Sequence, residues 1–287
     1  MFERIGQACS FLFVPATRPE RLPKALASGA DVVIADWEDA VAPAEQPVAR
    51  TMLSQAIAAL DVAQRARLLV RINAERTPWF AADLQALAAL VAQGCAGAVV
   101  PKADGPSGVK AVVQAAGEQA AVLPLVESVA GLDALDALAA APQVVRLAFG
   151  NLDFQVDAGM DCGDDESALL PLRLQIVLES RRAGLAPPVD GVTVDTRELE
   201  TVRRDAERAR RMGFGAKLCI HPAQVAPLHA VFDPGAEDVA QARRVQQALH
   251  DAGGGVCQLD GRMIDAPMLR HAEQLLRRHA WARQRRC

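Results

Sequence analysis

The sequence predicts an α/β protein in which eight parallel strands and their crossover helices close into a (β/α)8 barrel, with a helical extension at the C-terminus. The chain has 287 residues, of which 51% are hydrophobic and 23% charged, so it can bury a large core. This composition excludes a disordered or fibrous chain. Short apolar runs alternate along it with longer stretches of helical periodicity. Its length suits one barrel plus an extension, because barrels of roughly 250 residues commonly fold as one domain.

Eight short apolar runs bounded by turn or polar residues are the predicted strands. In chain order they are Ser10–Ala16, Asp31–Asp36, Arg67–Asn73, Gly97–Lys102, Val122–Glu127, Val144–Gly150, Asp190–Val194 and Ala216–Ile220. Helical periodicity fills the segments between them, as in Ala44–Ala59, Pro78–Ala92, Gly131–Ala140, Glu166–Ala183 and Arg197–Met212. Eight such units fit a closed barrel better than an open sheet. No G-x-G-x-x-G follows the first strand, which counts against a dinucleotide-binding fold.

The chain continues past the eighth strand, so we divide it into a barrel over residues 1–232 and a helical extension over residues 233–287. The predicted elements of the extension are a helix at Glu237–Asp251, a glycine linker at Gly253–Gly255 and a last helix near Ala266–Arg283. Pro267 marks a helix start, where its missing N–H costs nothing, so Asp265 falls near the N-cap. We expect the extension to pack on the barrel or on a neighbouring subunit.

Charge and cysteine content exclude several classes of protein. Acidic residues outnumber basic ones by 35 to 31 and no basic run precedes the extreme C-terminus, so nucleic acid is not the expected partner. No stretch approaches the ~18 apolar residues of a membrane span, and the short apolar run Ser10–Ala16 does not have the pattern of a signal peptide. Six scattered cysteines without a C-x-x-C pair predict reduced thiols and a cytoplasmic protein.

Polar residues that close the strands are the candidate site, because barrel active sites lie at the carboxyl ends of the strands. All five histidines lie at or beyond His221, so chemistry in the first two thirds must use carboxylates, arginine or a metal. The residues that follow strands two to six and strand eight are Asp36, Glu38, Asp39, Arg71, Asn73, Lys102, Glu127, Asp153 and His221.

Glu127 and Asp153 close strands five and six, which are neighbours in a barrel. Two carboxylates without a nearby histidine or thiolate suit Mg²⁺, with Mn²⁺ as an alternative. The competing interpretation is that each carboxylate caps a following helix.

Arg71 closes an otherwise apolar strand, where an unpaired guanidinium is costly, so it needs an anionic partner. A substrate carboxylate or enolate oxygen would suit its planar guanidinium group, which can donate two parallel hydrogen bonds. The alternative is a salt bridge to Glu38 or Asp36. Lys102 could form a Schiff base with a carbonyl substrate. The evidence for this role is weak, because no flanking cation is present to lower the pKa of Lys102. Asp39 has an ambiguous role, since it also suits capping of the loop.

Seven motifs resemble one family. They are Phe13-Val-Pro-Ala-Thr-Arg18-Pro, Asp36-Trp-Glu-Asp-Ala-Val41, Val70-Arg71-Ile-Asn73, Pro124-Leu-Val-Glu127-Ser, Phe149-Gly-Asn-Leu-Asp153, Lys217-Leu-Cys-Ile-His221-Pro-Ala-Gln224 and Gly261-Arg-Met-Ile-Asp265-Ala-Pro267. In this order they resemble the citrate lyase beta-subunit-like proteins of the HpcH/HpaI aldolase group, over essentially the whole chain.

The resemblance implies a TIM barrel, a trimer or hexamer, and Mg²⁺ held by Glu127 and Asp153. It implies that Arg71 holds the carboxylate end of the substrate and that Asp265 is delivered from a neighbouring subunit. From this resemblance we expect Arg71, Glu38 and Asp265 to act in catalysis. The residues expected to contact the substrate are Arg71, Asn73, Arg18 and Lys102.

Two positions depart from the family pattern. Asn151-Leu152-Asp153 stands where many relatives have Ala-Glu-Asp, so one carboxylate is missing beside a metal ligand. Trp37 replaces a small or aliphatic residue, which would narrow the pocket and change the substrate.

The predicted function is a Mg²⁺-dependent carbon–carbon lyase that cleaves a citryl-, citramalyl- or malyl-CoA type of 3-hydroxy-acyl-CoA into acetyl-CoA and a 2-oxo acid. Its partners would be that CoA thioester, or a small hydroxy or oxo acid. One alternative with the same site is a malyl-CoA thioesterase or a malate-synthase-like condensing enzyme. Another, from a different class, is a CoA-ester-binding subunit of a citrate lyase complex.

Overall fold

The computed structural model describes residues 2–253 and 255–286. The chain forms two compact units, residues 1–229 and residues 230–287. The boundary expected from the sequence lies slightly later, after residue 232. In the described part of the chain, no helix is both long and apolar enough to cross a membrane.

The first unit is a closed barrel of eight parallel strands in chain order, which confirms the predicted fold class. The strands are β1 (Ser10–Pro15), β2 (Val32–Asp36), β3 (Leu68–Arg71), β4 (Gly97–Val100), β5 (Ala121–Val126), β6 (Ala148–Phe149), β7 (Val189–Asp190) and β8 (Ala216–Cys219). Strand β1 pairs with β2 on one side and with β8 on the other, which closes the barrel.

Helices cover the outside of the strands and explain why the strands are almost continuously apolar, since both faces of each strand are buried. The first helices are α1 (Phe2–Gln7), α2 (Leu22–Ala27), α3 (Gln46–Ala58), α4 (Val62–Arg65), α5 (Phe80–Ala92), α6 (Ser107–Ala116) and α7 (Val129–Asp133). The next are α8 (Leu135–Ala139), α9 (Asn151–Asp157), α10 (Leu170–Arg182), α11 (Leu199–Met212) and α12 (Val225–Phe232). Fully buried strand residues such as Phe11, Ile34 and Leu123 form the barrel core.

The sixth and seventh strands are shorter than predicted. Residue Val144, predicted to begin the sixth strand, makes only an isolated bridge to Val122. The guanidinium of Arg146 lies among backbone carbonyls, donating to Pro187 O at 2.6 Å and Ala8 O at 2.6 Å. The predicted helix Gly131–Ala140 is likewise two short helices, α7 and α8.

The second unit contains α13 (Ala236–Asp251), an antiparallel hairpin of β9 (Cys257–Leu259) and β10 (Arg262–Ile264), and α14 (Ala266–Arg286). The hairpin was not predicted from the sequence. Its two-residue turn is Asp260-Gly261, with φ of 52° and 75°. An Asp-Gly pair at positive φ is a strong hairpin signal, and it was available in the sequence. Of the predicted glycine linker, Gly254 lies outside the described residues.

Candidate active site

A cavity of about 340 Å³ opens at the carboxyl ends of the barrel strands. Its walls come from the first unit alone. The lining residues are Phe13, Pro15, Asp36, Asp39, Ala40, Arg71, Leu125, Glu127, Gly150, Asn151, Leu152, Asp153, Val192, Leu218 and Ile220. The strand order therefore brings together four of the predicted acidic residues and Arg71.

Glu127 follows β5 directly and is 3% exposed. Its Oε1 accepts a hydrogen bond from the backbone N–H of Lys102 at 2.6 Å. Lys102 adopts a left-handed φ of 44°, a conformation uncommon for a residue with a Cβ, at the point where its N–H meets the carboxylate. Burial and, less strongly, the charges of Glu38 and Asp153 together raise the pKa of Glu127 to about 8, although the backbone hydrogen bond and the charge of Lys102 oppose the rise.

Asp153 lies in the first turn of α9, which begins directly after β6 and Gly150. It lines the same cavity as Glu127 and is close enough for its charge to raise the pKa of Glu127. Gly150 lies against Glu127: a Cβ built on it would lie 2.4 Å from Glu127 Oε2. Only a residue without a side chain leaves room for the Glu127 carboxylate in this place.

Arg71 ends β3 and is paired in register with Asp36 at the end of β2. Its Nε and Nη2 donate to the two carboxylate oxygens of Asp36, both at 2.7 Å. Its Nη1 lies 3.1 Å from Glu38 Oε2 and 3.0 Å from Asp39 Oδ2. Although burial lowers the pKa of Arg71, the charges of these three carboxylates raise it overall. The salt-bridge alternative is therefore what the structure contains, and a substrate would have to share or replace these contacts.

Glu38 is buried next to Arg71 and accepts a hydrogen bond from Lys102 Nζ at 2.6 Å. Burial and, less strongly, the charge of Asp39 together raise the pKa of Glu38 to about 7, although Arg71 and Lys102 oppose the rise. A carboxyl group with a pKa near neutrality is suited to proton transfer. Neither Glu38 nor Lys102 is among the residues that line the cavity.

Residues 9–222 match the family described as HpcH/HpaI aldolase/citrate lyase. The chain belongs to this family. The resemblance drawn from the seven motifs is thereby confirmed. Over 283 residues the chain is 35% identical to a citrate lyase subunit beta-like protein from Deinococcus radiodurans, covering 94% of this chain and 97% of that relative.

Other relatives in the HpcH/HpaI family differ in activity. The chain is 32% identical to a (3S)-malyl-CoA thioesterase and to an L-malyl-CoA/beta-methylmalyl-CoA lyase, both from Cereibacter sphaeroides. Both alignments cover 93% of this chain, with 93% of the thioesterase and 92% of the lyase. A similar solved structure is protein CitE from Mycobacterium tuberculosis in complex with magnesium, acetoacetate and coenzyme A. It has a TM-score of 0.79 and 34% identity, and the match covers 95% of this chain and 98% of that one.

Several predicted site residues of this family member lie elsewhere. Asn73 is 2% exposed, and its Nδ2 donates to Asp83 Oδ2 at 2.7 Å and to Gln46 Oε1 at 2.9 Å, so it braces the loop rather than facing the cavity. Arg18 is an exposed side chain whose Nη1 lies 4.0 Å from Glu20 Oε1. Trp37 is fully buried and outside the cavity lining, which corrects the expectation that it narrows the pocket.

Asp265 lies in the second unit, between β10 and α14. Its Oδ1 accepts a hydrogen bond from the backbone N–H of Met268 at 3.2 Å, so the carboxylate caps α14 as its place before Pro267 predicts. Its delivery to a neighbouring subunit stays a prediction.

Asn151, a residue of the cavity wall, is held by contacts that were not predicted from the sequence. Its Nδ2 donates to Glu166 Oε1 at 2.6 Å, and Glu166 is in turn paired with the buried Arg173. A Cβ on Gly191 would lie 2.0 Å from Asn151 Oδ1, so the carboxamide packs directly on the backbone after β7. Asn151, which departs from the family pattern, is thus held by Glu166 and by the backbone after β7. No spacing in the sequence indicated the contact with Glu166.

Proposed function

We propose that this protein is a Mg²⁺-dependent carbon–carbon lyase that cleaves a 3-hydroxy-acyl-CoA of the citryl-, citramalyl- or malyl-CoA type into acetyl-CoA and a 2-oxo acid. The observation that carries the proposal is the pair Glu127 and Asp153, which follow neighbouring strands and line one cavity with Arg71. The Mycobacterium tuberculosis relative, which holds magnesium, acetoacetate and coenzyme A, supports the cofactor and the substrate class.

The donor set fits a small divalent cation. Carboxylate oxygens are the ligands that Mg²⁺ prefers, and Mn²⁺ accepts the same set. The raised pKa of Glu127 reports burial and repulsion from Glu38 and Asp153, and a cation held between Glu127 and Asp153 would offset both. When bound, the ion supplies Lewis-acid stabilisation of the substrate oxygen that becomes the ketone.

The bond that breaks joins C2 and C3 of the acyl chain. The C3 hydroxyl loses its proton and C3 becomes the carbonyl of the 2-oxo acid, while the electron pair passes to C2 and the thioester carbonyl. A proton added at C2 then gives acetyl-CoA. We assign Arg71 to the anionic oxygens of the substrate, because its Nη1 meets Asp39 on the cavity wall. We assign proton transfer to Glu38 or to Asp265.

The test is an assay of the purified full chain with citryl-, citramalyl- and malyl-CoA, in MgCl₂ or in EDTA, with products identified by mass spectrometry. We expect acetyl-CoA and the matching 2-oxo acid only when Mg²⁺ is present. Asp153→Asn should abolish turnover, whereas Asp157→Asn, on the same helix but outside the cavity lining, should retain it. Acetyl-CoA from none of the three thioesters would reject the lyase.

A second candidate is a malyl-CoA thioesterase. It is favoured by the similarity to the (3S)-malyl-CoA thioesterase, whose alignment covers 93% of this chain. The same assay separates the two, because a thioesterase gives free CoA and the intact hydroxy acid. A condensing enzyme would form malyl-CoA and then malate from acetyl-CoA and glyoxylate. A purified chain that binds these CoA esters but turns none over would instead match a subunit of a citrate lyase complex.

We also propose that the protein is a homo-oligomer, a trimer or hexamer, in which Asp265 of one subunit completes the site of another. The support is that Asp265 belongs to a different compact unit from the one that carries the proposed metal ligands. Light scattering after gel filtration measures the mass of the particle, and a monomer would contradict the proposal.

A further inference from the structure

A second cluster of metal-binding side chains lies at the opposite end of the barrel from the cavity. Cys9 and Asp31 immediately precede β1 and β2, so they lie at the amino ends of these strands, whereas the cavity lies at the carboxyl ends. His229 reaches the same place from α12, the helix that follows β8. All three residues belong to the first unit, and none of them takes part in the proposed lyase chemistry.

The three side chains are close enough to share one ion. The ligand atoms are the Cys9 sulfur, an Asp31 carboxylate oxygen and an imidazole nitrogen of His229, and all lie within 4.8 Å of one another. His229 Nε2 lies 3.7 Å from Asp31 Oδ2. A tetrahedral Zn²⁺ with bonds of about 2.0–2.3 Å separates its ligand atoms by roughly 3.5 Å. The spacing of the cluster is therefore near the spacing that such an ion requires.

Backbone hydrogen bonds hold the ligands of the cluster in place. Asp31 Oδ2 accepts from the backbone N–H groups of Cys9 at 2.8 Å and Ser10 at 3.3 Å. Ser10 Oγ accepts from the backbone N–H of Asp31 at 2.9 Å and lies 2.8 Å from His229 Nε2. An ion on Nε2 would take the place of this last contact, while the bonds to Asp31 orient its carboxylate.

Burial of the cluster is nearly complete on one side only. Cys9 is 6% exposed and Asp31 is 4% exposed, whereas the His229 side chain is 16% exposed. The His229 side therefore offers a path for the ion, and it leaves room for water as a fourth ligand.

The donor set selects the kind of ion. Sulfur and imidazole ligands favour Zn²⁺, in contrast with the oxygen ligands of Glu127 and Asp153, which suit Mg²⁺. A Cys9 thiolate and the Asp31 carboxylate together neutralise a divalent ion, and a neutral imidazole adds no charge. Such a site avoids the large cost of an isolated buried charge. It also does not repel the guanidinium of Arg67, whose charge interacts with Asp31.

We propose that Cys9, Asp31 and His229 form a Zn²⁺ site, with water as the fourth ligand, that ties the amino ends of β1 and β2 to α12. Strand β1 pairs with β8 where the barrel closes, so the ion joins the first two strands to the helix that follows the last one. Its role is to stabilise the closed barrel. The inference is independent of the lyase.

The experiment titrates Zn²⁺ into the untagged full chain, stripped of metal and held in excess MgCl₂, which competes for sites made of oxygen ligands alone. Calorimetry compares the wild type with Cys9→Ser, His229→Gln and the control Cys162→Ser. Cys162 is 7% exposed, as buried as Cys9, and lies outside the cluster. We expect one Zn²⁺ per chain in the wild type and the control. Binding should be at least about 100-fold weaker in the other two variants, because each loses a direct ligand.

Two further measurements identify the ligand and the role. Co²⁺ in place of Zn²⁺ should give a thiolate-to-cobalt charge-transfer band in the wild type and in Cys162→Ser, but not in Cys9→Ser. Zn²⁺ should raise the Tm of the wild type by at least about 3 °C and leave that of His229→Gln unchanged. Thermal unfolding without metal shows whether each variant is folded, and if Cys9→Ser is not, His229→Gln decides alone. No Zn²⁺ binding by the wild type in MgCl₂, or equal affinity in His229→Gln, would overturn the inference.

Discussion

The substitution Gly150→Ala tests whether the position of Glu127 sets the affinity for Mg²⁺. A methyl group at residue 150 would lie 2.4 Å from Glu127 Oε2 and 2.5 Å from Glu127 Cβ, and real Cβ contacts essentially never fall below 3.0 Å. Because one of these contacts is to Cβ, rotation of the Glu127 carboxylate alone cannot relieve it. The φ of Gly150 is −95°, so the contact, not the backbone conformation, requires glycine here.

The structure also sets the expected size of the effect. The chain around Glu127 must shift by about half an ångström or more, and such overpacking destabilises a fold by roughly 1–3 kcal/mol. A displaced metal ligand should weaken Mg²⁺ binding by about 10- to 100-fold, and turnover should fall with it.

Isothermal titration calorimetry with Mg²⁺ measures the affinity, and thermal unfolding confirms that the variant is folded. The matched control is Gly105→Ala, since a Cβ at Gly105 meets nothing within 4 Å and its φ is not positive. We expect that control to keep wild-type stability and affinity. A folded Gly150→Ala protein with wild-type Mg²⁺ affinity would refute the assignment of Glu127 as a ligand.

Three further predictions concern the same site. The pKa of Glu127 is about 8 without metal, so Mg²⁺ must displace a proton below that pH. Its affinity should rise from pH 6 to pH 8 with about one proton released in calorimetry, and a flat profile would contradict this. Arg71→Lys keeps the charge but loses the fork, and should lower kcat/KM roughly 10- to 100-fold; wild-type kinetics would exclude the assigned role. Mixing inactive Asp265→Ala and Glu127→Ala proteins should restore activity after subunit exchange, and no recovery despite demonstrated exchange would exclude a shared site.

The candidate site was predictable in part because a barrel brings strand ends together regardless of the rest of the chain. Glu127, Asp153 and Arg71 close three predicted strands, and the structure places all three around one cavity. The strand order alone predicts that these residues share one site. That order follows from the alternation of apolar and helical segments in the sequence.

What the sequence could not supply was register and long-range pairing. Arg71 lies opposite Asp36 only because of how β2 and β3 align, and both a substrate and a salt bridge were compatible with its position. The contact between Asn151 and Glu166 depends on where the loop before α10 lies. Strands β6 and β7 are two residues each, and an apolar run in the sequence does not show which of its residues pair with a neighbouring strand.

Removal of Asp39 should strengthen substrate binding, because this carboxylate competes with the substrate for Arg71. The Asp39 side chain is 53% exposed and lines the cavity, and its Oδ2 lies 3.0 Å from Arg71 Nη1. Exposed ion pairs contribute up to about 1 kcal/mol, so Asp39→Asn should lower KM by up to about fivefold with little change in kcat. Asp36→Asn should behave oppositely and raise KM, because Asp36 holds the guanidinium in place through two bonds of 2.7 Å. Steady-state kinetics of the two variants, compared at low and high salt, measures both effects. A rise in KM in Asp39→Asn would show that Asp39 holds Arg71 in place for the substrate, as Asp36 does, and does not compete with it.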